Sequence, residues 1–275
     1  MSLKEKKALL VGIGKWGEVL ADILIKKGYK LSYASRDKNP NLSFEKKFKS
    51  NSVQLFSCKH EIIFDLVVIA VKPKDFYDAW TDYKKYSKKF LIEKPGALSK
   101  NQIEKIFLEA FDEERSVLIN YEYIYTEESK LLLDKLIEKK EDIREISIIW
   151  EKKLYNKGGL SWRLLPHLIA DLIIISKKNL SFTTSQINRN SIKLSGSIIN
   201  SSFNIEFNDS KQTFYQNKIK LSNKEIFIKE RNKLFIDDKL IYNKKVLSVD
   251  NMVDLAQNPR KEIILSNNKL AVDVL

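Results

Sequence analysis

The stretch Leu9-Leu10-Val11-Gly12-Ile13-Gly14-Lys15-Trp16-Gly17-Glu18 leaves few folds open to this chain. An apolar run that reads as a strand enters a G-x-G-x-x-G turn and continues into the amphipathic Val19 to Ile25, the context a dinucleotide fingerprint requires. Gly12 suits the tight turn, Gly14 the close approach of backbone to a pyrophosphate, and Gly17 the packing of helix on sheet. The free N–H groups and positive dipole end of that helix would then meet the phosphates. Ile13, Lys15 and Trp16 stand between the glycines and are expected to contact the same cofactor. Glycine triplets also occur as plain turns. Here only eight glycines are present, and three of them fall at this spacing between a strand and a helix.

The rest of the first half follows the same grammar. The pattern predicts a strand over 7–12, a helix over 15–27 stopped at Gly28, and a second strand over 29–34. Ser35-Arg36-Asp37 comes next, where a dinucleotide fold reads the ribose. Ser35 stands where an NAD-specific acid is expected. The Arg36 guanidinium suits a 2′-phosphate, so NADP is favoured over NAD, and Asp37 would serve NAD if the register slipped by two. A short helix over 42–49 and a strand over 53–57 are expected, then the apolar run Asp65 to Val71, typical of a strand buried on both faces. Its carboxyl end brings Ala70, Val71 and Pro73 toward the cofactor crevice, although each residue alone also fits core strand or helix start. A helix over 74–86, the strand ending in Glu93-Lys94-Pro95-Gly96, a helix over 99–112 and a strand over 117–121 complete an open parallel sheet covered on both faces.

Beyond residue 120 the grammar changes. Helices are expected over 126–140 and 159–176, with a strand over 143–150 between them. Closely spaced β-prone runs at 191–199, 202–207, 212–221, 225–230, 233–236 and 239–242 then read as an antiparallel meander. A helix over 246–257 stops before Pro259, and the last residues read as an edge strand. The fold class is α/β: a Rossmann doubly wound parallel sheet over 1–120, and an α+β domain with a large, mostly antiparallel sheet over 121–275.

Composition narrows the function. The net charge of +13 raises nucleic acid as a partner, but the lysines are scattered among acids along the whole chain, so a solvated basic surface is the simpler reading. No apolar run is long enough to span a bilayer, and no secretory leader is read at the start. The one cysteine, Cys58, excludes an intrachain disulfide and suits a reducing cytoplasm. With one Cys and two His, a structural zinc site is not expected.

From Glu93-Lys94-Pro95, and from Gly158-Gly159-Leu160 followed by His167 and Asp171-Leu172, the chain resembles the glucose-fructose oxidoreductase and inositol dehydrogenase (Gfo/Idh/MocA) family over nearly its whole length. The resemblance implies that Lys94 reaches the nicotinamide edge and a substrate hydroxyl, that Lys94-Pro95 is cis, and that the chain forms a homodimer or homotetramer through the open face of its second sheet. Glu93 would pair with Lys94 or with the ribose. A partly buried amine beside a bound cation loses proton affinity and can help remove a proton from an alcohol. His167, titrating near neutral pH, is the second expected catalytic residue, with Asp171 one helical turn on to orient it. Arg163 and Leu165 stand where relatives carry an acid and a glycine. Arg163 either lowers the proton affinity of His167 or holds an anionic substrate bidentately. Tyr121 and Tyr123 would line the same pocket or fill the core. The expected activity is hydride transfer between NADP or NAD and the alcohol or carbonyl carbon of a sugar, cyclitol, sugar nucleotide or related metabolite. A dinucleotide-binding protein without catalysis, acting as regulator or assembly partner, is the alternative.

Overall fold

The computed structural model describes residues 5–35, 41–52, 64–139, 141–153, 160–176, 180–188, 190–198, 201–244 and 248–274. It divides into two compact units, Met1–Asn120 with Val249–Leu275, and Tyr121–Ser248.

The first unit holds six parallel strands, β1 (Lys6–Val11), β2 (Tyr29–Ala34), β3 (Asn51–Ser52), β4 (Leu66–Ile69), β5 (Lys89–Ile92) and β6 (Ser116–Ile119), in the order β3-β2-β1-β4-β5-β6. Ala8 to Val11, Leu66 to Ile69 and Val117 to Ile119 are buried at every position. Strands covered on both faces have no polar side to show, which is why these runs are continuous rather than alternating. Helices α1 (Lys15–Lys26), α2 (Leu42–Phe48), α3 (Phe76–Tyr83) and α4 (Lys100–Asp112) connect them. Gly28, at φ +81°, ends the α1 turn as expected. The single helix expected over 74–86 is instead α3 with a 3-10 turn at each end, Pro73–Asp75 and Lys84–Tyr86. The strand expected over 53–57 lies outside the described residues.

Two more helices follow at the end of the chain, α7 (Ser248–Gln257) and α8 (Lys261–Val274). The expectation of a terminal edge strand was wrong, and residues from Val249 on pack with the first unit rather than with 121–248. The physical reason is the free edge of β6. Buried Asn267 on α8 accepts from the Ile119 N–H at 2.7 Å and donates to the Ile119 carbonyl at 3.0 Å. One side-chain amide thus does what a paired strand would have done for that residue.

The second unit is an eight-stranded sheet covered by α5 (Glu127–Lys139) and α6 (Leu160–Ser176). Its strands are β7 (Ile143–Lys152), β8 (Ser181–Ile187), β9 (Ser191–Ile198), β10 (Ser201–Asp209), β11 (Phe214–Leu221), β12 (Ile226–Glu230), β13 (Lys233–Ile236) and β14 (Lys239–Asn243), in the order β14-β13-β12-β11-β7-β10-β9-β8. Ile146, Ile148 and Trp150 alternate inward and meet Leu164, Leu168, Leu172 and Ile175 of α6. Central β7 pairs antiparallel with β11 but parallel with β10. The simple meander is broken because the chain crosses over through α6 before returning by β8 and β9. Among the described residues, no helix is long and apolar enough to cross a membrane.

Candidate functional site

The ladder of the first sheet runs one residue past its strands. Gly12 donates to Ala34, Ala70 to Val11, Glu93 to Ile69 and Asn120 to Ile92, each at 2.8–2.9 Å. Gly12, Ala70, Glu93 and Asn120 therefore emerge side by side at the carboxyl edge, with half-buried Ser35 following β2 and half-buried Val71 and Pro73 following Ala70. Strand order reverses between β1 and β4, and open α/β sheets bind ligands at such a switch point.

The three glycines differ in what fixes them. Gly12 has φ +96°, and a Cβ there would lie 2.5 Å from the Ala70 carbonyl oxygen. At Gly17 a Cβ would intrude on the Gly12 carbonyl oxygen, so α1 rests directly on the turn. Gly14, the N-cap of α1 at φ −69° and ψ −177°, is different: a Cβ there would meet nothing within 4 Å. That space opens before a helix start whose N-cap has no side chain to offer the first N–H groups. Open space ahead of uncapped donors is what a phosphate needs, so the residues fit a dinucleotide.

Glu93 ties two parts of this edge together. Its Oε1 accepts from the Trp16 indole and from the Asn120 side-chain amide, which joins the E-K-P turn to the glycine loop. Burial holds the Glu93 carboxyl above the usual carboxylate range, against the opposing pull of those two hydrogen bonds and of Lys94. Lys94 itself is half-buried and its peptide to Pro95 is cis. Asn120 was not singled out from the sequence, although a polar residue closing the apolar β6 run was there to be read. Arg36 and Asp37 lie outside the described residues.

In the second unit, His167 on α6 is 6% exposed. Its ring lies edge-on to Tyr123 at 4.7 Å and 6.2 Å from Trp150. The acid facing it is Glu122, with Nε2 to Oε1 at 3.9 Å, from the 3-10 turn Glu122–Tyr125. Asp171, expected to orient the imidazole, turns its carboxylate to Lys229 instead, at 2.9 and 3.0 Å, and accepts from the Tyr215 hydroxyl. Lys229 also reaches the Ser129 hydroxyl at 3.0 Å. Burial first, and Asp171 second, hold the Tyr215 phenol far above its ordinary range. Tyr121 is fully buried, and burial also raises its phenol. Tyr123 is pushed up to about 12, again chiefly by burial. Leu165 packs against the core, while the Arg163 side chain and Gly158-Gly159 lie outside what is described. Beside this cluster is a cavity of about 80 Å³, lined by Tyr123, Trp150 and Tyr215 and by the charged Glu128, Lys152, Lys229, Glu230 and Arg231. Glu122, Tyr215 and Lys229 carried no local sequence signal, because their partners are 44 or more residues away.

Comparison with known proteins bears on the fold. A family model described as NADP oxidoreductase, coenzyme F420-dependent, matches residues 7–93. No curated protein matches the chain by sequence. Among solved structures, the UDP-N-acetylglucosamine 3-dehydrogenase of Acidithiobacillus ferrooxidans is similar, at 10% identity and TM-score 0.81 over 98% of this chain and 93% of that one. A protein of gentamicin A biosynthesis solved in complex with NAD matches at 11% identity and TM-score 0.80, over 100% and 92%. A Gfo/Idh/MocA family oxidoreductase from Vibrio cholerae matches at 11% identity and TM-score 0.71, over 98% and 95%. At these identities the likeness establishes a shared fold.

Proposed function

From the fold it shares with Gfo/Idh/MocA oxidoreductases, we propose that this chain is a nicotinamide dinucleotide-dependent oxidoreductase interconverting CH–OH and carbonyl groups on a small metabolite. The observation that carries the reading is the open Gly14 position at the start of α1, on the same sheet edge as Glu93 and Lys94. Bound there, the dinucleotide supplies the hydride acceptor or donor. The α1 N–H groups would hold its pyrophosphate, and Glu93, already fixed by Trp16 and Asn120, would position the Lys94 backbone. Lys94 and His167 are assigned the hydroxyl proton, the amine by donating to the substrate oxygen and the imidazole by accepting its proton. Arg36 and the NADP description of the matching family favour NADP; the NAD complex of one similar structure keeps NAD as the competitor.

The substrate class is a sugar, cyclitol or sugar nucleotide. The aromatic walls of the cavity beside His167 suit the apolar face of a sugar ring. Nothing observed favours the non-catalytic regulator.

The test is titration with NADPH and NADH, followed by turnover against a panel of sugars, cyclitols and sugar nucleotides. Lys94→Ala is expected to keep dinucleotide affinity within a few-fold and to lower kcat about a hundredfold. Undiminished turnover in Lys94→Ala would remove Lys94 from the mechanism, and absence of dinucleotide binding would remove the reading altogether.

We also propose a homodimer or homotetramer built on the sheet face away from α5 and α6, where Ile228 lies opposite Phe235 across β12 and β13. Ile228→Lys is expected to shift the mass measured by light scattering to that of the monomer; a monomeric wild type would refute the assembly.

A further inference from the structure

We propose that Glu122 is a positioning residue for His167: its carboxylate holds the imidazole and favours the protonated form. The pair joins two elements, the 3-10 turn after β6 and the long helix α6, and both side chains are buried, Glu122 at 5% and His167 at 6% exposure. At 3.9 Å the contact is of ion-pair range and longer than a hydrogen bond. Charge, rather than one fixed proton, is therefore the coupling.

Glu122 is an acid within ion-pair range of the ring. From the 3-10 turn the other neighbour is Tyr123, whose phenol stays protonated until about pH 12. From the sheet the neighbour is Trp150, which does not titrate. One turn along α6, Asp171 is matched by Lys229, so the two charges largely cancel at His167. A buried imidazole loses proton affinity through desolvation, and a carboxylate at this distance restores it by about one pKa unit or more. The ring is thereby kept able to take up a proton as the substrate hydroxyl gives one up, and that role rests on the oxidoreductase reading. The pairing itself does not.

The chain has two histidines, His60 and His167, so imidazole NMR of the full-length protein resolves the question, with His167→Gln as the assignment control. In the wild type, His167 is expected to titrate above its midpoint in Glu122→Gln. Glu122→Gln should lower the wild-type midpoint by about one unit and leave His60 unchanged, while Glu122→Asp keeps most of the wild-type value. The acidic limb of the kcat profile should move to lower pH by the same amount. Equal His167 midpoints in wild type and Glu122→Gln would overturn the proposal. So would a Glu122→Asp midpoint no closer to the wild type than that of Glu122→Gln. If no substrate is ever turned over, the oxidoreductase reading fails while the titrations still judge the pair.

Discussion

Lys229→Met is expected to lower the stability of the second unit by about 3–5 kcal/mol, seen as a large drop in the denaturant midpoint of the full-length chain. The magnitude follows from what is left behind. Lys229 and Asp171 are 2% and 3% exposed, and without the amine the Asp171 carboxylate keeps the Tyr215 hydroxyl as its remaining hydrogen-bond partner. The Ser129 hydroxyl loses an interaction as well, while still donating to the Tyr123 carbonyl at 2.7 Å. Asp171→Leu should be as harmful, since it strands the ammonium. The double variant should be more stable than either single one, because removing both charges removes the cost of burying them. If the double variant is no better than the singles, the pair is not the electrostatic unit described.

The second large effect separates two glycines three residues apart. Gly17→Ala should cost about 4 kcal/mol or prevent folding, because its methyl group meets the Gly12 carbonyl and both are fixed by backbone. Gly14→Ala meets no protein atom, and its extended backbone suits any residue. It should melt within a few degrees of the wild type. Its methyl group, however, occupies the space assigned to the pyrophosphate, so dinucleotide affinity should fall at least about tenfold, or 1.4 kcal/mol. Isothermal titration and thermal melts of the two variants read both quantities. Unchanged NADPH affinity in a folded Gly14→Ala would place the phosphates elsewhere.

What could be read in advance divides along physical lines. The glycine turn, the buried parallel strands and the E-K-P turn are local patterns, each set by a few consecutive residues, and they led to the correct parallel sheet. Strand β8 was invisible because it is exposed at every position, so no alternation marked it. The terminal segment was misjudged because Ile263-Ile264-Leu265 suits strand and helix alike. What decided it was Asn267 with Leu270 and Ala271, buried at helical spacing. Asp171 was paired with His167 on spacing alone. Helical spacing places two residues on one face without saying which partner the sheet presents, and β12 presents Lys229.

The clasp of Asn267 on Ile119 also bears on how the chain is made. Residues 1–120 leave the ribosome early, yet their outermost strand is finished by a helix synthesised more than a hundred residues later. Until then the nascent first half carries an uncovered hydrogen-bonding rim, open to adhesion with other chains and to chaperones that shield such rims.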